Sequence, residues 1–116
     1  MEILPVIGLV WLHFFADFIC QTDDMATKKS SSNKWLTIHV GVYSLPYFLL
    51  AVFYPISLVI LFVGINFLLH WVTDYVSSRL TSFLWKHEER HWFFVIIGLD
   101  QALHFTALFL TFYWIF

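Results

Sequence analysis

The stretch that decides the fold runs from His91 to Phe116 and reads HWFFVIIGLDQALHFTALFLTFYWIF. It is long enough to cross a bilayer, because about 20 apolar residues in a helix span a hydrocarbon core of about 30 Å. Asp100 and His104 lie in the middle of it, where a charge costs roughly 2.5 to 3.5 kcal/mol on insertion scales. Ionisable residues in such places usually mark a functional site, so both are candidates for function.

The composition of the whole chain is typical of a membrane protein. Of its 116 residues, 60% are hydrophobic, 22% are aromatic and only 12% are charged. Four apolar spans are predicted, at about 3–20, 35–54, 55–78 and 91–116. Polar residues interleaved with leucine and phenylalanine between 79 and 90 predict a short interfacial helix. The predicted fold class is therefore all-α, with residues 1–116 forming one integral membrane domain, a bundle of four transmembrane helices with that short interfacial helix between helices 3 and 4.

The basic residues predict how the chain is oriented in the membrane. All six lysines and arginines fall in the two loops 21–34 and 79–90. Because basic residues in short loops stay on the cytoplasmic side, we expect both loops in the cytoplasm and both termini outside. The protein is thus predicted to be a multi-pass protein of the cell (inner) membrane with lipid as its surroundings. The net charge of -2 and the lack of a basic stripe argue against a nucleic-acid partner.

Every predicted span carries ionisable residues, and where a span has two they stand four positions apart. Positions four apart lie on one helix face, and these polar faces are most easily accommodated if they point at each other. The seven residues are His13, Asp17, His39, His70, Asp74, Asp100 and His104. A rise of about 1.5 Å per residue places them in two adjacent layers in the cytoplasmic half, with Asp100 expected to face His13.

Histidine and aspartate at this spacing are good ligands for a divalent metal, with zinc favoured and manganese or iron as alternatives. All seven residues are candidate ligands. Asp17, His39, His70 and Asp100 are expected to bind the ion directly, and a catalytic role is predicted for Asp17, Asp100 and His104. Seven candidates exceed the need of one ion. Either two metals share the site, or some of the residues orient the histidine ligands.

Three classes of function remain open on these residues. A metal-dependent hydrolase would use a His/Asp site open to the cytoplasm. A transporter or channel subunit would bind ions or relay protons with the same groups, and so few helices would then require a homo-oligomer. An accessory protein would dock a membrane partner through these polar residues. The alternative without a functional role is that the residues only form hydrogen bonds between the helices of the bundle. The residues alone decide neither the substrate, the metal, the number of ions nor the oligomeric state.

The pattern also resembles a known family. The residues that carry the resemblance are His13-Phe-Phe-Ala-Asp17-Phe with Gln21, Met25-Ala26 with Lys29, His39 with Tyr43, and Asp100-Gln101-Ala-Leu-His104. Together they resemble the small bacterial and phage membrane proteins grouped as domain of unknown function 3307. The resemblance implies an integral membrane protein with a shared His/Asp pattern and no established activity. Membrane-embedded metal-dependent hydrolases, which hold zinc between helices with the same residue types, are an analogy only.

A second motif competes with this cluster. The run His87-Glu-Glu-Arg-His91 fits H-E-x-x-H, in which two histidines on one helix bind zinc and the glutamate acts as general base. A chance match is expected in a histidine-rich chain within a charged interfacial run, and a third ligand is not evident there. We therefore interpret this run as a solvated surface, with the zinc-protease interpretation as the alternative.

Overall fold

The computed structural model describes residues 2–116, and these residues form helices without any strand. The helices are α1 (Ile3–Phe14, continued by a π-helical segment, Phe15–Ile19), α2 (Asp23–Lys28), α3 (Asn33–Ser44, continued by a 3-10 segment, Leu45–Val52), α4 (Ile56–Lys86) and α5 (Arg90–Ile115). The all-α prediction is confirmed. Helix α2 was not predicted, and it lies in the first polar loop.

Three helices are long and apolar enough to cross a membrane: α3 with its 3-10 segment, α4 and α5. The α1 unit, Ile3–Ile19, is also apolar but shorter. At about 1.5 Å per residue it extends roughly 25 Å, less than a hydrocarbon core of about 30 Å. Large apolar side chains such as Phe14, Leu68 and Phe94 point outward and are exposed. Outward-facing apolar surface on long helices is typical of a membrane protein. The prediction of four spans is therefore supported for three of them.

Helix α4 corrects the prediction of a separate interfacial helix at 79–90. It contains 31 residues, about 46 Å at 1.5 Å per residue, so its last turns extend beyond a hydrocarbon core of about 30 Å. No proline or glycine interrupts the chain between Ser78 and Lys86, and the helix therefore continues through the polar stretch. It ends only where Glu88 adopts a left-handed backbone conformation, with φ of 59°. The chain then reverses into α5.

Pro46 explains why α3 tightens into a 3-10 segment. Proline has no backbone N–H to donate, and its ring disturbs the preceding turn, so the α-helical bonding pattern stops there. The N–H of Leu45 instead bonds to the carbonyl of Val42, three residues back. The carbonyl of Val42, about one turn from His39, therefore accepts a hydrogen bond within its own helix, and the 3-10 segment begins at Leu45.

The interior is divided into an apolar half and a polar half. Toward the termini, Leu9, Tyr47, Phe62, Leu108 and Phe112 form one buried cluster between α1, the 3-10 segment, α4 and α5. Toward the loops, the buried residues include four histidines and two aspartates: His13, His39, His70, His104, Asp17 and Asp74. Since the polar groups contact each other and the apolar ones pack together, the site occupies the loop-side half of the bundle.

Candidate metal centre

Four side chains from three helices converge in the polar half, each no more than 5% exposed: Asp17, His39, His70 and Asp74. The first is carried by the π-helical segment of α1, the second by α3, and the last two lie one turn apart on α4. In the π-helical segment, the N–H of Cys20 reaches the carbonyl of Phe15, five residues back, at 2.9 Å. Single π turns are frequent at functional sites, and this one carries a buried carboxylate into the interior.

Five separations among the four converging atoms are nearly equal. His39 Nε2 lies 3.1 Å from Asp17 Oδ1 and 3.1 Å from Asp74 Oδ2. His70 Nε2 lies 3.5 Å from the same oxygen of Asp17 and 3.4 Å from the same oxygen of Asp74. The two ring nitrogens are 3.3 Å apart. Zinc ligands at about 2.0 to 2.1 Å in a tetrahedron stand about 3.3 to 3.4 Å from each other, because the edge is about 1.63 times that distance. The atoms therefore have the spacing of a tetrahedral metal site.

Hydrogen bonds alone satisfy this arrangement poorly. A histidine Nε2 carries at most one hydrogen, which points in one direction, yet His39 Nε2 has three polar neighbours within 3.3 Å. Lys29, at the end of α2, donates from Nζ to Asp74 Oδ2 at 3.0 Å. Two buried carboxylates beside one ammonium leave a negative charge, which is costly away from water. A divalent cation at the centre would satisfy both the charge and the four converging lone pairs.

The second oxygen of Asp74 belongs to a neighbouring group. Asp74 Oδ1 lies 2.9 Å from His104 Nε2, and that nitrogen lies 3.2 Å from Asp100 Oδ2. Ser77 donates to Asp100 Oδ1, and Gln101 Nε2 donates to Asp100 Oδ2 at 3.1 Å. The three residues Asp74, Asp100 and His104 could themselves hold a metal ion. One carboxylate is therefore shared by two groups of candidate ligands.

His13 lies beside the cluster with both ring nitrogens in hydrogen bonds. Its Nδ1 is 3.1 Å from the Tyr43 hydroxyl, and its Nε2 is 2.9 Å from Gln101 Oε1. Tyr47 donates to the Tyr43 hydroxyl at 2.9 Å, so Tyr43 has its own proton free to donate to Nδ1. We therefore assign a neutral His13 that donates from Nε2 to Gln101. The residue of α5 that forms a hydrogen bond with His13 is Gln101, in place of the expected Asp100.

Ring stacking fixes the direction of His70. Its ring centroid lies 3.8 Å from that of Tyr43 and 3.9 Å from that of His104, with interplanar angles of 28° and 13°. Its Nδ1 is buried and finds no hydrogen-bond partner within residues 2–116. Histidine ligands usually bond through the second nitrogen to a group that orients them. Here the stacked rings of Tyr43 and His104 orient His70 instead and keep its Nε2 directed at the cluster.

A groove of about 570 Å³ gives access to both groups from the loop end of the bundle. Asp17 and Asp100 line its inner wall, and Lys29 and Lys86 line it nearer the loops. Six hydroxyl side chains complete its polar lining: Thr27, Ser30, Ser77, Ser78, Thr81 and Ser82. The side chain of Asp100 is 14% exposed, whereas that of His104 is 2% exposed. The second group is therefore the one that opens toward the groove.

All seven residues predicted as ligands lie in this one network. The fourth position of the tetrahedral group is occupied by Asp74, whereas the sequence suggested Asp100, which lies in the neighbouring group. Sequence reasoning gave no role to Gln101, Lys29 or Tyr47, which bond directly to members of the network. Gln101 and Lys29 do stand in the motif of the family resemblance, and that was the available signal.

The H-E-x-x-H run does not form the helix that a metalloprotease site needs. Helix α4 ends at Lys86 and α5 begins at Arg90, so a helix break separates His87 from His91. His87 is exposed, and its Nδ1 lies 2.9 Å from the carbonyl oxygen of Phe83. The motif requires both histidines on one helical face. The interpretation of this run as a solvated surface is the one that agrees with the fold.

The family whose model matches residues 6–116 is described as "Protein of unknown function (DUF3307)". The chain belongs to this family. The resemblance carried by the His13 to Asp17 and Asp100 to His104 motifs is thereby confirmed. No curated protein and no solved structure matches the chain. The description of the family assigns no activity, so the geometry of the site carries the functional argument.

Proposed function

We propose that this member of the family is a membrane-embedded metal-binding protein that hydrolyses a substrate entering through the groove at the loop end. The observation that carries the proposal is the near-tetrahedral spacing, 3.1 to 3.5 Å, of four ligand atoms beside an open groove. Zinc fits this spacing and the mixed nitrogen and oxygen donors best, and manganese or iron are the alternatives.

The residues divide into ligands and groups that face the substrate. Asp17, His39, His70 and Asp74 would hold the ion, and their two carboxylates match the charge of a divalent cation. A divalent ion held in this network, when bound, supplies Lewis acidity and activates water near neutral pH. Asp100 lines the groove, and His104 Nε2 lies 3.2 Å from its carboxylate. These two residues would contact substrate or complete the metal centre.

The proposed arrangement in the membrane has four spanning helices, with α1 as the short fourth. Both polar loops lie at the same end of the bundle, since Arg79 donates to the Asn33 side chain at 2.7 Å. Basic residues at one end favour that end in the cytoplasm of the inner membrane, with both termini outside.

Thiol labelling of intact cells tests this orientation. In a Cys20→Ser background, Ser31→Cys should react with an impermeant maleimide only after permeabilisation. Phe53→Cys, at the opposite turn, should react on intact cells. The reverse pattern would overturn the orientation.

The packing favours a hydrolase over a transporter. A transport path would continue as polar surface toward the termini. That half is filled instead by apolar side chains, with Phe62 and Leu108 fully buried. The polar network and the groove both lie on the loop side, which is the arrangement of a site entered and left from one face.

Metal analysis and an activity screen test the proposal together. Protein purified in mild detergent without chelator should contain stoichiometric zinc by mass spectrometry. It should also cleave some member of a panel of chromogenic phosphate and carboxylate esters in a chelator-sensitive way. His70→Ala should lose both properties, whereas His87→Ala, at an exposed histidine outside the cluster, should keep them. Folded wild-type protein that binds no divalent metal would overturn the proposal.

A further inference from the structure

We propose that the protein binds two ions, the second held by Asp74, Asp100 and His104, and that this second ion carries the open coordination positions facing the groove. The role of that ion in hydrolysis rests on the proposed function, but its binding does not. It would make Asp74 a bridging ligand and would place the reactive ion beside Asp100, which lines the groove.

The tetrahedral group lacks a free position for a substrate. Four side-chain atoms complete a tetrahedron, and all four residues are at most 5% exposed. Zinc sites with four protein ligands are characteristically structural, whereas catalytic sites have three protein ligands and one open position. An ion in the tetrahedral group would therefore hold three helices together. It would leave the chemistry to a neighbouring site.

The neighbouring group has the features that the first lacks. It offers three ligand atoms, and His104 Nε2 lies 2.9 Å from Asp74 Oδ1 and 3.2 Å from Asp100 Oδ2. Adjacent ligands at about 2.1 Å from an ion stand about 3.0 Å apart in an octahedron and about 3.4 Å apart in a tetrahedron. Asp100 lines the groove, as do Ser77 and Gln101, which hold its carboxylate. The remaining positions of an ion here would face the groove.

Asp74 is placed to join the two ions. Its Oδ2 belongs to the tetrahedral group, and its Oδ1 lies 2.9 Å from His104 Nε2. That nitrogen can carry only one hydrogen, yet it lies between two carboxylates, so a hydrogen bond satisfies only one of them well. A shared carboxylate brings two ions to one substrate, which is how two-metal hydrolases stabilise both the attacking and the leaving oxygen.

The charges also indicate the class of substrate. The network contains three carboxylates and the ammonium of Lys29, and the first divalent ion cancels the negative charge that remains. A second divalent ion then gives the site a net positive charge, in a groove that also contains Lys86 and six hydroxyl groups. An anionic ligand with several acceptor oxygens, such as a phosphate ester, matches that charge and lining. The second ion should therefore bind more weakly than the first and more tightly when phosphate is present.

Metal titration of the full chain in detergent tests the second site without any activity assay. Wild-type protein titrated with manganese, followed by mass spectrometry after desalting, should retain two equivalents, the second only in the presence of inorganic phosphate. Asp100→Asn and His104→Ala should each retain one equivalent and remain folded by circular dichroism. Asp23→Asn and His91→Ala, both exposed and outside the network, should retain two. Cobalt should give intense four-coordinate absorption for the first equivalent and weak bands for the second.

The outcomes separate this inference from the proposed function. A wild-type protein that saturates at one ion with phosphate present overturns the second site, whether or not it hydrolyses esters. A protein that binds two ions but cleaves nothing overturns hydrolysis and leaves the second site standing. Retention of two equivalents by both Asp100→Asn and His104→Ala would also refute the assignment. Retention of the second equivalent that is the same with and without phosphate would refute the predicted class of substrate.

Discussion

Replacing His39 with alanine should nearly abolish the stabilisation that zinc gives to the protein. His39 is the histidine nearer to both carboxylates of the tetrahedral group, at 3.1 Å from each, and it is 1% exposed. Its loss leaves three of the four ligands. The effect should appear in the zinc-bound state above all, since the metal-free chain keeps the contact between Lys29 and Asp74.

The magnitude follows from the number of ligands. Structural zinc sites with four ligands bind with about 10 to 16 kcal/mol, so one ligand accounts for about 2.5 to 4 kcal/mol, or roughly 60- to 900-fold in affinity. At a free zinc concentration of about 1,000 times the wild-type dissociation constant, zinc stabilises the folded protein by about 4 kcal/mol. A 100-fold loss of affinity reduces this to about 1.4 kcal/mol at the same concentration. For a chain of this length, the difference corresponds to a melting temperature about 10 °C lower.

The assay compares thermal unfolding with zinc and with chelator for each variant in the same detergent. Taking the difference within one variant cancels the cost of the substitution to the metal-free fold. His87→Ala is the matched control, since that histidine is exposed and lies beside the carbonyl oxygen of Phe83, outside the network. An equal zinc-dependent shift in His39→Ala and wild type would refute the tetrahedral site. A loss of the shift in His87→Ala would point to the H-E-x-x-H run instead.

Three further predictions follow from single contacts. Lys29→Met should tighten zinc binding several-fold, because it removes a positive charge beside the ion, and calorimetric titration measures this effect. The same variant should destabilise the metal-free protein, which unfolding in chelator measures. Gln101→Leu should lower the free energy of unfolding by about 1 to 3 kcal/mol, because buried His13 Nε2 loses its acceptor. Gln21→Leu is its control and should lower the free energy of unfolding less, because the amide oxygen of Gln21 has no partner in residues 2–116. Glu88→Gly should stabilise the protein by about 0.5 to 1 kcal/mol, since glycine adopts a φ of 59° freely, and should leave metal content unchanged although it destroys the H-E-x-x-H run. A loss of metal in that last variant would contradict the assignment of the site.

The long apolar helices and the clustering of the seven ionisable residues were predictable because both follow local rules. Long apolar runs form helices in lipid, and residues four apart lie on one face whatever the neighbours are. The exact ligand set was not predictable, since it depends on rotation about the helix axis and on depth. Gln101 and Asp100 differ by one residue, about 100° around α5, and that rotation decides which of them meets His13. The π turn near Asp17 shifts α1 in a way that none of its residues signals.

The sequence by itself determined an all-helical membrane chain with seven ionisable residues in its interior, because the cost of burying polar groups forces them together. Only the tertiary structure decided that Asp74 contributes one oxygen to each of two groups and that the groove opens at Asp100. It also decided that α4 continues to Lys86 and that α2 brings Lys29 onto a candidate metal ligand. Those features depend on how separate helices are rotated and placed in depth relative to each other, and on where each helix ends. The spacing of residues within one helix defines its faces but does not determine any of these.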